Sequence, residues 1–332
     1  MITGYGDDIH EYEGIRMNFS SNVYAHADLQ PLLDHLRSRV GLIANYPEPE
    51  PLSLERKLAE KMGVATECVI VTNGATDAIY LIAETLSRKG FGLQRIVKPT
   101  FAEYEDACLQ AGIRLDDSAD VVWICNPNNP TGSALEISDL KRMAAGERLL
   151  VVDQSYGWCS DVEELSAKDA VGLGNVIQIH SMTKSCAIPG LRLGYIVAAR
   201  EWTVELRKWL RPWTVNVLAI EAGHSIVDNG FCAVKDVEAY LEETQRLRRK
   251  LNEIEGMSVD PTRTNFMLCR LHHGTAAELK HRLATEYGML IRDASNFNGL
   301  TPQHFRVAAQ SREENDALVR AIGRELIFKL TS

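Results

Sequence analysis

From about Val69 to Ala199 the chain alternates short apolar runs with stretches of helical periodicity, which restricts it to layers of helix on sheet. Val69–Thr72, Arg95–Lys98, Val121–Cys125, Leu149–Asp153, Val176–His180 and Leu193–Ala198 read as strands. Several are almost continuously apolar, the pattern of strands covered on both faces. Helices fit between them at Ala75–Lys89, Ala102–Ala111 and Glu136–Ala145, so the expected sheet is mostly parallel. After Trp209–Asn216 the character changes. Helical stretches at Val217–Asp228 and Ala233–Ile254 precede strands at Met257–Asp260, Asn265–Arg270, Leu290–Arg292 and Phe305–Ala308, with helices at Ala276–Tyr287 and Glu313–Leu330. That tail predicts a small α+β domain. With 332 residues the chain exceeds one ordinary core. The expected division is an N-terminal arm and part of the small domain over 1–45, a large domain over 46–230 and a small C-terminal domain over 231–332. Tyr46-Pro-Glu-Pro-Glu-Pro51 reads as a rigid, extended arm.

Bulk properties exclude several classes of function. Net charge is −9, and the basic run Arg246, Arg248, Arg249, Lys250 shares its helical stretch with Glu238, Glu242 and Glu243, the pattern of a solvated helix face with paired charges. Nucleic acid is therefore not an expected partner. No stretch approaches the ~18 consecutive apolar residues of a membrane span, and the acidic opening MITGYGDDIHEYEG predicts no targeting signal. Seven scattered cysteines without a Cys-x-x-Cys argue against both a disulfide framework and a thiolate metal site, and for a reducing cytoplasm.

Chemistry concentrates at four strand ends, where open α/β sheets bind ligands. Thr72-Asn-Gly-Ala-Thr-Asp77 joins a strand to a helix start, which suits a phosphate, although Thr76 and Asp77 equally suit an ordinary first turn. Asn126-Pro-Asn-Asn-Pro-Thr-Gly132 is a strong turn signal with more amide than a turn requires. Asp153 ends an apolar run, where a carboxylate needs a cation or several donors. A protonated pyridine nitrogen is one such cation; a salt bridge or helix cap is the plainer reading. Ser181-Met-Thr-Lys184, followed by Ile188-Pro-Gly-Leu-Arg-Leu-Gly-Tyr195, puts a lysine near positive charge and beside groups that match phosphate.

These strings, in this order and with Asp153 between them, resemble the fold-type-I pyridoxal 5'-phosphate (PLP) enzymes of the class I/II aminotransferase family over nearly the full length. The resemblance implies an α/β large domain with a small α+β domain, PLP as cofactor, a small amino acid as substrate, and these roles. Lys184 holds the cofactor covalently. Asp153 pairs with its ring nitrogen. Asn129 and Tyr156 bond its ring oxygen. Ala75, Thr76, Ser181 and Arg192 take its phosphate. Tyr104, in Phe101-Ala-Glu-Tyr104, stacks on its ring. Tyr46 matches a tyrosine that reaches the neighbouring subunit's phosphate, which implies a homodimer. Arg306, in Phe305-Arg-Val307, matches the arginine for the substrate carboxylate, and Asn22 and Arg292 join it as substrate-binding residues. Phe101–Tyr104, Ala187–Gly194, Pro212–Ala219 and Leu290–Asn296 lean toward the threonine-phosphate decarboxylase branch, with the histidinol-phosphate aminotransferase branch as alternative. A non-catalytic PLP-binding regulator is a remote alternative, since no basic helix-turn-helix segment precedes Tyr46. The departures are Tyr5 for an opening histidine, Val-Tyr-Ala-His after Asn22, Asp153-Gln-Ser-Tyr156, and only eight residues between Gly112 and Val121. They touch the substrate set more than the cofactor set.

Overall fold

Strands alternate side chains between faces, so an apolar run must find a core on each side. The computed structural model describes residues 7–146 and 149–331, with side chains as far as 326, and it shows that sorting directly. In chain order the strands are β1 (Met17–Asn18), β2 (Val69–Thr72), β3 (Leu93–Ile96), β4 (Arg114–Leu115), β5 (Val121–Cys125), β6 (Leu149–Asp153), β7 (Val176–Ser181), β8 (Gly194–Ala198), β9 (Met257–Val259), β10 (Phe266–Leu271), β11 (Met289–Leu290), β12 (Arg292–Asp293) and β13 (His304–Ala308). Seven of them form one sheet in the order β2-β8-β7-β6-β5-β3-β4. On β5 and β6, Val121, Trp123, Leu149 and Val151 pack into one core, while Val122, Ile124, Leu150 and Val152 pack into another on the opposite face.

The pairs β3–β4, β3–β5, β5–β6 and β6–β7 are parallel. Only β8 runs against its neighbours β2 and β7. That reversal matters, because it brings the beginning of β8 to the edge where the parallel strands end. Gly194 is the register partner of both Thr72 and Ser181.

A four-stranded antiparallel sheet, β12-β13-β10-β9, carries the second group of strands. The N-terminal segment is stitched to it. β1 pairs in parallel with β11, and Ala308 donates to the Phe19 carbonyl at 2.8 Å. Phe19 is fully buried in the same core as Phe305 and Val307. The helix Val217–Asn229 begins at Asn216, whose side chain accepts from the Ala219 amide, and ends at left-handed Gly230.

Two expected strands are corrected. The expected Arg95–Lys98 is Leu93–Ile96: Gln94 is buried because its carbonyl accepts the Trp123 indole N–H, and Val97 is exposed. The expected single strand Leu290–Arg292 breaks at buried Ile291 into β11 and β12, which serve different sheets. The expected helix Ala233–Ile254 is shorter, Val237–Asn252, because Asp236 caps it by accepting from the Ala239 amide. Helices at Gln30–Arg39 and Leu52–Met62 were not foreseen.

Candidate active site

The carboxyl ends of β2, β5, β6 and β7 open on a cavity of about 230 Å³. Ten of the residues singled out by sequence line it: Ala75, Thr76, Tyr104, Asn129, Asp153, Tyr156, Ser181, Lys184, Arg192 and Arg306; Arg292 makes an eleventh.

β7 ends at Ser181 and passes straight into the short helix Met182–Ser185, which carries Lys184. The Lys184 Nζ donates to the Ser21 carbonyl at 3.1 Å. Burial, with the positive Arg306 and Arg192 nearby, lowers its ammonium from 10.5 to about 8, against the opposing pull of Asp7. A near-neutral amine is a nucleophile and a proton carrier.

Asp153 is only 4% exposed. It accepts from the Tyr104 hydroxyl at 2.7 Å and from the Ser155 amide at 2.8 Å, both neutral donors. Burial raises its carboxyl, with the Ser155 and Tyr104 hydrogen bonds pulling it back down. A carboxylate so placed fits a cationic ring nitrogen opposite it.

One corner is shaped for a phosphate. Gly74, at φ +83°, opens the helix Gly74–Arg88, and a Cβ there would lie 2.7 Å from the Arg192 guanidinium. Gly194 is constrained too, since a Cβ would lie 2.7 Å from the Ala75 nitrogen. Helix start, guanidinium and the Ser181 hydroxyl, itself 2.6 Å from that of Thr183, converge without an intervening side chain.

Of the asparagines in the turn after β5, two are structural. Asn126 exchanges both amide hydrogen bonds with the Leu135 backbone, and Asn128 is tied to Thr100 and to the Pro99 carbonyl. Asn129 alone lines the cavity, accepting from Arg306. Tyr156 packs edge-on to Phe266, and burial pushes its phenol up to about 12, so it remains a donor at neutral pH.

The facing wall holds Arg292 and Arg306, register partners on β12 and β13. Like charges directly opposite repel, and burial lowers Arg306 to about 10 with Arg292 adding to the effect. Arg306 donates to the Ser20 carbonyl, and its Nε is buried without a partner. Arg292 donates to Asn296 at 2.9 Å and lies over the Phe297 ring. Two buried guanidiniums side by side fit a ligand with more than one anionic group.

Some expectations are placed differently. Tyr104 lines the cavity but is only 1% exposed, stacked on Trp123 at 5.6 Å and edge-on to Phe101. Phe101, also lining the cavity and part of the Phe101–Tyr104 string, is the more exposed of the two rings. Asn22 does not line the cavity. It is fully buried at φ 56°, beside the Tyr156 hydroxyl, with neither amide atom in a hydrogen bond of ordinary geometry. Tyr46 is also absent from the cavity, 87% exposed and against Trp213. Tyr5 lies outside the described residues. Sequence reading missed Asp7, Ser155, Thr183 and Asn296, all lining the cavity. Ser155 was visible only as a departure in Asp153-Gln-Ser-Tyr156, and Asp7 only as part of the acidic opening MITGYGDDIHEYEG.

The residues fit PLP on three counts: a buried carboxylate lacking a cation, a phosphate cradle that a Cβ at Gly74 would fill, and a lysine shifted toward its amine. The comparisons agree. The family model for aminotransferase class I and II matches residues 109–322. The crystal structure of L-threonine-O-3-phosphate decarboxylase from Porphyromonas gingivalis superposes with a TM-score of 0.90 at 35% identity, covering 94% of this chain and 99% of that one. Histidinol-phosphate aminotransferase 1 of Carboxydothermus hydrogenoformans is 27% identical over 97% of this chain and 95% of its own. Histidinol-phosphate aminotransferase from Sinorhizobium meliloti, solved in complex with pyridoxal-5'-phosphate, shares the fold at a TM-score of 0.80 and 18% identity, over 95% of this chain and 92% of that one. With strand ends, lysine and carboxylate arranged in this way, the chain belongs to the class I and II aminotransferase family, PLP-dependent enzymes of fold type I.

Proposed function

We propose that this enzyme holds PLP on Lys184 and removes the carboxylate of a small phosphorylated amino acid, with L-threonine O-3-phosphate as the expected substrate. The paired, buried Arg292 and Arg306 on the wall facing Lys184 carry this reading, because that substrate offers both a carboxylate and a phosphate. The likeness to the Porphyromonas gingivalis decarboxylase supports it.

When bound, PLP would supply an electron sink for the bond broken at Cα. Asp153 would meet its ring nitrogen, and the Tyr156 phenol and Asn129 amide would hold its ring oxygen. Arg192, Ser181 and the amides of Ala75 and Thr76 take its phosphate. Arg292 and Arg306 set the rotation of the substrate about its N–Cα bond, which decides whether the carboxylate or the hydrogen is presented for cleavage. Lys184 moves the proton at Cα. Asn22, fully buried beside the Tyr156 hydroxyl, would act on the substrate side only through Tyr156.

Transamination of a histidinol-phosphate-type substrate is the second reading, favoured by the Carboxydothermus relative. Incubation with L-threonine phosphate, following CO₂, beside histidinol phosphate with 2-oxoglutarate, following glutamate, separates them. CO₂ release from the first supports decarboxylation; glutamate without CO₂ overturns it.

The working unit is a homodimer in the reducing cytoplasm. Tyr46 and Trp213, with Val40, Ile43 and Leu52, leave a group of exposed apolar side chains around the Pro-rich arm, which supports pairing there with Tyr46 reaching the other subunit's phosphate. Among the described residues no helix is long and apolar enough to cross a membrane, and all seven cysteines are unpaired. Light scattering at micromolar concentration checks the dimer, and a monomer that turns over normally removes the role of Tyr46.

A further inference from the structure

Tyr104 is a large polar side chain in the cavity lining, almost completely buried. Its ring is braced on one side by Trp123, stacked at 5.6 Å, and edge-on by Phe101 at 5.8 Å. Trp123 is itself held, since its indole N–H donates to buried Gln94. The hydroxyl faces Asp153 and the Cys125 thiol, and it donates to Asp153 Oδ2 at 2.7 Å. Asp153 Oδ1 is occupied by the Ser155 amide. The neighbouring Cys125, register partner of Asp153, has its thiol pushed up to about 12 by burial and stays neutral. Burial likewise keeps the Tyr104 phenol protonated, a donor throughout the working range. Phenylalanine would fill the same space, so packing alone does not call for a hydroxyl here. A buried hydroxyl must recover its lost hydration in a hydrogen bond, and this one recovers it on a carboxylate.

We propose that Tyr104 is a positioning residue, not a ring-stacking one: its hydroxyl fixes the plane of the Asp153 carboxylate and keeps it anionic toward the ring nitrogen of bound PLP. This rests on the PLP reading above and adds a residue that acts on the cofactor only through Asp153.

The test is a two-by-two comparison on the full chain. Wild type and Tyr104→Phe are titrated with PLP and with 1-deazapyridoxal 5'-phosphate, in which a C–H replaces the ring nitrogen. Loss of a charge-assisted hydrogen bond predicts that Tyr104→Phe weakens PLP about tenfold and leaves the deaza analogue at its wild-type affinity. On the PLP-loaded enzyme, kcat falls while KM stays. Equal weakening for both cofactors, or none for PLP, overturns the proposal. If Tyr104→Phe does not fold, 3,5-difluorotyrosine at position 104 keeps the shape and strengthens the donor. Its predicted effect is tighter PLP with the deaza analogue unmoved, and no change for PLP overturns the idea. A wild-type protein that takes up neither cofactor sinks the PLP reading itself, and this inference with it.

Discussion

The two sides of the cavity are assembled by different means. Thr76, Asp153, Ser181 and Lys184 stand at or just past strand ends locked in one sheet, where Cys125 pairs with Asp153 and Gly194 pairs with both Thr72 and Ser181. Arg292 and Arg306 come from the antiparallel sheet instead, and the Ser20 carbonyl and Asn129 join that wall to the rest by single hydrogen bonds from Arg306. The first side is a ladder of register partners, rigid and closely determined by local sequence. The second is a meeting of chain segments nearly three hundred positions apart, as the 286-residue separation between Ser20 and Arg306 shows. On the proposed roles, the family's cofactor is held by the first kind of surface and the substrate by the second.

The comparison breaks most visibly at Lys184. On the proposed roles, Lys184→Ala removes both the attachment point and the proton carrier, and turnover should fall by at least about 10³-fold while the fold persists. Steady-state kinetics with circular dichroism check this, and retained turnover would mean the strand edge is not the reacting side. Next in size, Arg306→Leu deletes a buried cation with two named partners, and kcat/KM should fall about 10²-fold, with Arg292→Leu costing nearer tenfold and mostly in KM. Both variants should keep PLP affinity within about threefold of wild type. A large loss of cofactor affinity in either would erase the division between edge and wall.

The two sides do communicate through charge. Because Lys184 is lowered to about 8, its amine is largely protonated below that pH and free above it. The rate of covalent PLP uptake should therefore climb about tenfold per pH unit up to ~8 and level off above. In Arg306→Leu the loss of a positive neighbour favours the ammonium, so the midpoint moves upward, though burial still holds it below 10.5. A midpoint that stays put, followed by absorbance, would show that the wall does not reach Lys184. The smallest expected effect lies behind the wall. Thr275 and Glu278 form a reciprocal cap on the helix Ala276–Tyr287. Thr275→Ala should lower stability to urea by about 1 kcal/mol and leave kcat/KM unchanged.

Legibility in the sequence followed the same division. β5 and β6 were readable to the residue because a strand buried on both faces leaves an unbroken apolar run, and a carboxylate or an asparagine at its end stands out. Lys184 and Arg192 were readable because they sit in compact strings. The break at Ile291 was not, since the two halves of one apolar stretch pair with strands about 270 and 15 residues away. Nor was the placement of Tyr104 against Trp123 and Asp153. The spacing from Phe101 fits one helical turn, and only the packing on Trp123 decides which of the two rings is the more exposed.

What the amino-acid sequence determined by itself is the sheet, its mostly parallel sense and the identities of Asp153 and Lys184, because burial on two faces and strand-end polarity are local properties of a chain. What only the tertiary structure decided is the pairing of Arg292 with Arg306, the closure of the wall by Ser20 and Asp7, and the grip of Tyr104 on Asp153. Those depend on distances between segments remote in the chain, which hydrophobic periodicity does not encode.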